Sequence, residues 1–163
     1  MNKEEFVNQV SREQAALRRF LTALCCGNNT EADDIAQETL VKAFLRLSDY
    51  DERGQFLSWL IKIAYRIFLD SKRKQKNTSV YSLDKAVTVA ANTGSDESFH
   101  YQELHNALLS LSETIRTSML LFYMQGYSIK EIANIIDSSE SAVKKHLSRG
   151  REELKNILQH ERG

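Results

Sequence analysis

Residues 32–76 read ADDIAQETLVKAFLRLSDYDERGQFLSWLIKIAYRIFLDSKRKQK, and they hold two amphipathic helices whose outer faces carry opposite charge. In the first, Ala36, Leu40, Ala43, Phe44 and Leu47 recur at spacings of three and four, which puts them on the core-facing side of a helix from about Glu31 to Leu47. Thr30 with Asp33 supplies its cap. The opposite side carries Asp34, Gln37, Glu38 and Val41, a polar set with one apolar member. Pattern alone favours a solvated face with a Glu38–Lys42 pair. A catalytic or metal-binding reading of Asp33, Asp34 and Glu38 finds no histidine or second acidic motif to support it.

A polar connection, Ser48–Gln55, follows, with Gly54 at a position suited to positive φ. The next helix runs from about Phe56 to Gln75. Phe56, Leu60, Ile63, Ala64 and Ile67 form its buried stripe, flanked by Trp59. Lys62, Arg66, Leu69 and Arg73 occupy another face and lead into Lys72, Lys74 and Lys76. Lysines in a last turn are stabilised by the helix dipole whatever else they do, but that account does not reach Lys62 and Arg66.

Upstream, Ser11 with Gln14 reads as a capping box opening a helix from about Arg12 to Cys26, which Gly27, Asn28 and Asn29 end. Cys25 and Cys26, about 100° apart on that helix, are poorly placed to share a metal or a disulfide and read as core and surface filler. The histidines at 100, 105, 146 and 160 show no ligand spacing. Downstream, Asn77–Phe99 loses helical periodicity apart from a short turn near Ser82–Val89, and reads as a flexible linker.

With 163 residues, 42% of them hydrophobic and 27% charged, the composition is that of a soluble globular protein of one domain or two small modules. No apolar run approaches the ~18 residues of a membrane span, and Met1–Val10 is too polar for a signal peptide, so a cytoplasmic location is expected. Net charge is zero, which argues against a protein that coats nucleic acid. Positive charge is local: Lys62–Lys76 holds six Lys or Arg against one Asp, and Lys144–Arg151 holds four and no acid. Long-range attraction to DNA is then weak, and binding requires short-range fit or a helper.

The last third carries the punctuation of a helix-turn-helix. From His100 on, Leu104, Leu108, Leu109 and Leu111 are apolar, and a helix from about Glu113 to Met124 stops at Gly126. Ser128 and Glu131 form a capping box for a short helix, Ile129–Ile136, with Ile132, Ala133 and Ile136 inward. The turn Asp137–Ser139 leads to a longer helix, Glu140 to about Gln159, with Val143, Leu147, Leu154 and Leu158 buried. Ser141, Lys144, Lys145 and Ser148 then face outward as donors for a major groove, with Arg149 and Arg151 placed for phosphates.

Taken together, Asp33–Leu47 (DDIAQETLVKAFLRL), Phe56–Lys74 (FLSWLIKIAYRIFLDSKRK) and Leu111–Leu154 resemble the sigma-2 helix, the basic helix after it and the sigma-4 region of bacterial RNA polymerase sigma factors. The group resembled is group IV, the extracytoplasmic function (ECF) class. The resemblance implies an all-α chain of two small helical domains, sigma-2-like over 1–76 and sigma-4-like over 100–163, joined by the flexible linker 77–99. It implies no catalytic centre, metal or cofactor. Asp34, Gln37, Glu38 and Val41 become contacts to the β′ clamp helices of polymerase core, and the helices before the turn meet the β flap. Tyr50, Lys62, Arg66 and Arg73 are implied to hold melted −10 DNA, and Lys144, Lys145 and Ser148 to read the −35 element. An anti-sigma factor is the implied regulator, and membrane insertion is not expected. Three departures stand out: Ser112 in place of a usual Pro, Asp137 and Ser138 in place of Gly and an apolar residue, and Lys145 and His146 in place of a small residue and Arg. The rival readings are a stand-alone helix-turn-helix regulator, which needs a dimer to read two half-sites, and an interaction module that sequesters polymerase factors.

Overall fold

The computed structural model describes residues 1–78 and 96–162, among which the chain forms seven α-helices, one 3₁₀ turn and no strand. The helices are α1 (Lys3–Leu24), α2 (Asn29–Leu45), α3 (Phe56–Thr78), α4 (Asp96–Leu109), α5 (Glu113–Tyr123), α6 (Ile129–Ile136) and α7 (Glu140–Arg162), with the 3₁₀ turn at Leu47–Asp49. Among the described residues none of these helices is long and apolar enough to cross a membrane. Residues 1–22 and 28–78 form one compact unit, and 23–27 with 96–162 form a second. The expected linker lies mostly outside the described residues, as does the turn at Ser82–Val89; at its edges α3 continues to Thr78 and α4 starts at Asp96.

In the first unit the caps differ from the sequence signals. α1 begins at Lys3 because Asn2 Oδ1 accepts from the Glu5 N–H at 2.8 Å while Glu5 Oε2 accepts from the Asn2 N–H at 3.1 Å. Ser11, expected to open the helix, sits inside it and donates to the Val7 carbonyl. Asn28, rather than Thr30, caps α2 by accepting from the Glu31 N–H at 3.1 Å. The turn before α3 closes through the Gly54 N–H on the Asp51 carbonyl, and Gly54 takes no positive φ.

The expected α3 stripe is buried throughout, and Ile61, Tyr65 and Phe68 are buried beside it, so this helix is covered on two sides. α2 packs on α3, and the small residues Ala36 and Ala43 are fully buried on it. Each fully buried large apolar side chain contributes about 1.5–3 kcal/mol. Buried Thr39 satisfies its hydroxyl on the Ile35 carbonyl at 2.7 Å. Phe44 corrects the expected core face: it is 41% exposed, while Leu40 and Leu47 are half-buried. Ala43 is the fully buried one of the pair, and Phe44, about 100° round the helix, is turned to the rim, where its ring meets Phe6 edge-on at 5.6 Å.

In the second unit the cap signals around α5, α6 and the start of α7 coincide with the helix ends. Ser112 caps α5 by accepting from the Ile115 N–H, Gly126 takes φ +74° after it, and both halves of the Ser128–Glu131 capping box form at 3.1 Å. Asp137 adopts the left-handed conformation (φ 54°) that the turn requires, and Ser139 Oγ accepts from the Ala142 N–H at the start of α7. α5 and α6 both pack on α7 around Leu121, Ile132, Ile135, Val143 and Leu147. Gly150 permits the close approach, since a Cβ there would lie 2.7 Å from Met119 Cγ. Leu154 is only half-buried and Leu158 is exposed, because α7 runs on past the short helices that cover its first half.

Buried Arg116 has no carboxylate partner among the described residues, and its guanidinium donates instead to the carbonyls of Leu24, Leu108 and Leu111, all in this unit. Both cysteines are buried rather than one in and one out: Cys26 has left the helix at φ 53°, so helical spacing no longer separates them.

Candidate nucleic-acid interface

Three outward faces hold the candidate residues. On α2, helical geometry puts Asp34, Gln37, Glu38 and Val41 within an arc of about 100°, and all four are exposed. Glu38 pairs with Lys42 at 3.2 Å, an exposed i,i+4 contact worth about 0.3–0.5 kcal/mol, too little to dedicate the face to stability. Asp33 lies off this set and is tied to Arg18 at 2.7 Å. Leu45, 74% exposed and one turn beyond Val41, extends the stripe with a second apolar side chain. Its i+4 spacing from Val41 was the available signal.

In the connection before α3, Tyr50 is held at both ends. Its hydroxyl donates to the Gly54 carbonyl at 3.0 Å, and its ring lies 5.0 Å from Trp59 and 5.7 Å from Phe56. Burial, with Glu52 and Asp51 adding to it, pushes the phenol above its usual range, so it remains a neutral donor. On α3, Lys62, Arg66 and Arg73 fall within about 40° of one another, and half-buried Trp59 flanks them. The i, i+3 and i+7 relation of Trp59 to Lys62 and Arg66 marks it as a member of this face that the basic pattern alone left out. Asp70, exposed on the same side, interrupts the positive charge.

Lys72 does not join them. It turns to the other side of α3, where its ammonium sits 2.8 Å from Glu31 Oε1, an oxygen no other described donor reaches, and 5.3 Å from the Phe68 ring centre.

On α7 the buried Val143 and Leu147 fix which side faces out. Ser141, Lys144, Lys145 and Ser148 are all exposed within an arc of about 100° opposite them. Arg149 and Arg151 are exposed on the two flanks, each about 80° from Ser141. Arg151 leans toward α5, its guanidinium donating to the Tyr123 hydroxyl at 3.1 Å. The turn, the short α6 and the exposed cationic start of α7 together have the form of a helix-turn-helix.

Residues 9–78 match the family model for Sigma-70 region 2, and residues 101–154 match that for Sigma-70, region 4. The chain is 32% identical over 147 residues to the ECF RNA polymerase sigma factor SigW of Bacillus subtilis (strain 168), covering 81% of this chain and 78% of that one. To SigM of the same strain it is 29% identical over 143 residues, covering 85% and 86%. The solved structure of the sigma factor RpoE in complex with the anti-sigma factor NepR from Bartonella quintana matches with a TM-score of 0.80 at 24% identity, covering 96% of this chain and 98% of that one. An all-helical chain with these two regions in this order is a transcription initiation factor of the sigma type. It belongs to the ECF group of the sigma-70 family.

Proposed function

We propose that this sigma factor binds RNA polymerase core through α2, reads a −35 element with α7 and stabilises melted −10 DNA with the Tyr50 connection and α3. The observation that carries this reading is the segregation of charge: exposed carboxylates on α2, a cationic face on α3 with Arg66 and Arg73 exposed and Lys62 half-buried, and exposed cations on the outward side of α7.

On α2, Asp34, Gln37 and Glu38 surround Val41, a polar rim about a small apolar centre of the kind that suits docking on the β′ clamp helices. In the second unit, the helices before the turn are the surface for the β flap. Ser141, Lys144, Lys145 and Ser148 supply donors to base edges in a major groove, while Arg149 and Arg151 hold phosphates on either side. Opening a duplex costs a few kcal/mol in lost stacking and pairing. Tyr50, braced by Trp59, offers an aromatic surface for an unstacked base, and Lys62, Arg66 and Arg73 neutralise the strand that carries it. Residues 1–76 thus act as the polymerase-binding and strand-holding module, and 100–163 as the duplex-reading module joined to it by 77–99. The protein works in the cytoplasm. An anti-sigma factor regulates it, a role supported by the partner present in the RpoE structure.

Transcription from a random promoter library with purified core tests the assignment. Replacing Lys144 and Lys145 with Glu removes promoter selection and leaves core binding intact; replacing Asp34 and Glu38 with Lys does the reverse. Unchanged promoter selection by the α7 variant contradicts the reading and favours a module that only binds polymerase factors.

A further inference from the structure

The side of α7 turned toward α5 holds a hydrogen bond that none of these roles uses. His146 Nδ1 lies 3.1 Å from Oγ of Ser118, whose side chain is fully buried on α5. A buried hydroxyl needs an acceptor, because an unmade bond there forfeits its whole desolvation cost. Neighbouring Thr117 finds one in the Glu113 carbonyl at 2.6 Å, whereas the only partner of Ser118 among the described residues is the imidazole. Ser118 therefore donates and Nδ1 accepts, which fixes the ring as the Nε2–H tautomer. Burial, with Arg149 adding to it, lowers the ring from the usual histidine range and keeps it neutral at pH 7. Nε2 is neither buried nor bonded among the described residues. Helical geometry sets His146 about 60° from exposed Arg149 and equally about 60° from buried Val143, between the cationic face and the packed side of the helix.

We propose that His146 is a DNA contact, donating from Nε2–H to a phosphate oxygen at the margin of the duplex on α7, with Ser118 as the positioning residue that fixes its tautomer and ring angle. The inference rests on the reading of α7 as the duplex-facing helix. A neutral donor releases no counterion, so this contact sets register and orientation and leaves the salt dependence to the lysines and arginines.

Two amides separate this role from mere packing. Glutamine places its amide nitrogen near the position of Nε2, and asparagine places its own near Nδ1. Holoenzyme built from bacterial core and the full chain is bound to a duplex promoter selected from a random library. Methylphosphonate is then substituted at each phosphate of the −35 region in turn, with all variants compared at equal folded fraction. His146→Asn is expected to bind about 10-fold weaker and to lose sensitivity at one phosphate alone. His146→Gln stays within about 3-fold of the parent and keeps that sensitivity. Ser118→Ala weakens the same single phosphate, with an intact contact elsewhere. If His146→Asn matches the parent in affinity and pattern while His146→Gln is the weaker, the ring serves only to pack α5 against α7 and the proposal is overturned. If the parent holoenzyme shows no sensitive phosphate in the −35 region, the duplex-facing reading has itself failed and takes this contact with it.

Discussion

Replacing Lys72 with Met tests whether a lysine within the basic run 62–76 serves the fold instead of DNA. Met keeps an apolar stem over Phe68 and removes the ammonium that sits 2.8 Å from Glu31 Oε1. The two side chains are 23% and 15% exposed, so water reaches the remaining carboxylate only in part. Stranding a buried, unsatisfied polar group costs about 1–3 kcal/mol; the ~3–5 kcal/mol of a fully buried pair is an upper limit here because some solvent remains. For a unit of this size each kcal/mol shifts the melting temperature by about 4–8 °C, which gives a fall of roughly 5–20 °C. Adding Glu31→Gln removes the stranded charge, so the double variant recovers about half or more of the loss. Circular dichroism melts of the parent, both single variants and the double variant form the cycle. A Lys72→Met protein melting within about 2 °C of the parent refutes the argument, and so does a double variant whose loss is the sum of the two singles.

Two other predictions follow from the packing and titration of the second unit. Gly150→Ala forces a methyl against Met119 and Ile115, and urea denaturation should register a loss of about 1–3 kcal/mol; a stability equal to the parent means that α5 and α7 are not in close contact. Burial lowers both His105 and His146 below the usual histidine range, so the unfolded chain binds more protons than the folded one near pH 6. Stability therefore rises with pH through this window and falls as pH drops below about 6.5, and urea midpoints measured from pH 7.5 down to 5.5 should decline; a flat profile is the contrary result.

The sequence was most legible where local chemistry and tertiary packing ask for the same thing. Ser128, Glu131 and Gly126 mark the ends of α5 and α6 with groups that form the bonds their types promise, and the inward stripe of α6 is where periodicity puts it. The first caps were missed because Asn2 and Asn28 cap as well as any hydroxyl, so Ser11 and Thr30 offered equally good signals that tertiary structure left unused. Phe44 looked like core because period alone cannot tell which of two adjacent residues is buried; the alanine is. Lys72 stands in the same basic run as Lys62, Arg66 and Arg73, and a charge run does not record which side of the helix a residue occupies; Trp59 reads as flanking the core because an aromatic at helical spacing fits there as well. The Ser118–His146 bond joins residues 28 positions apart, and nothing local announces it.

The proposed division of labour is that polymerase supplies the affinity while α7 and α3 supply the selection, as expected for a chain with no net charge whose densest cationic runs are two short stretches. Its most direct test is the affinity of the full chain for a selected promoter duplex, measured by gel shift with and without polymerase core at one salt concentration. The free chain should bind weakly and without selection, and tight, sequence-selective binding should appear once core is added. Tight and selective binding by the chain alone contradicts it.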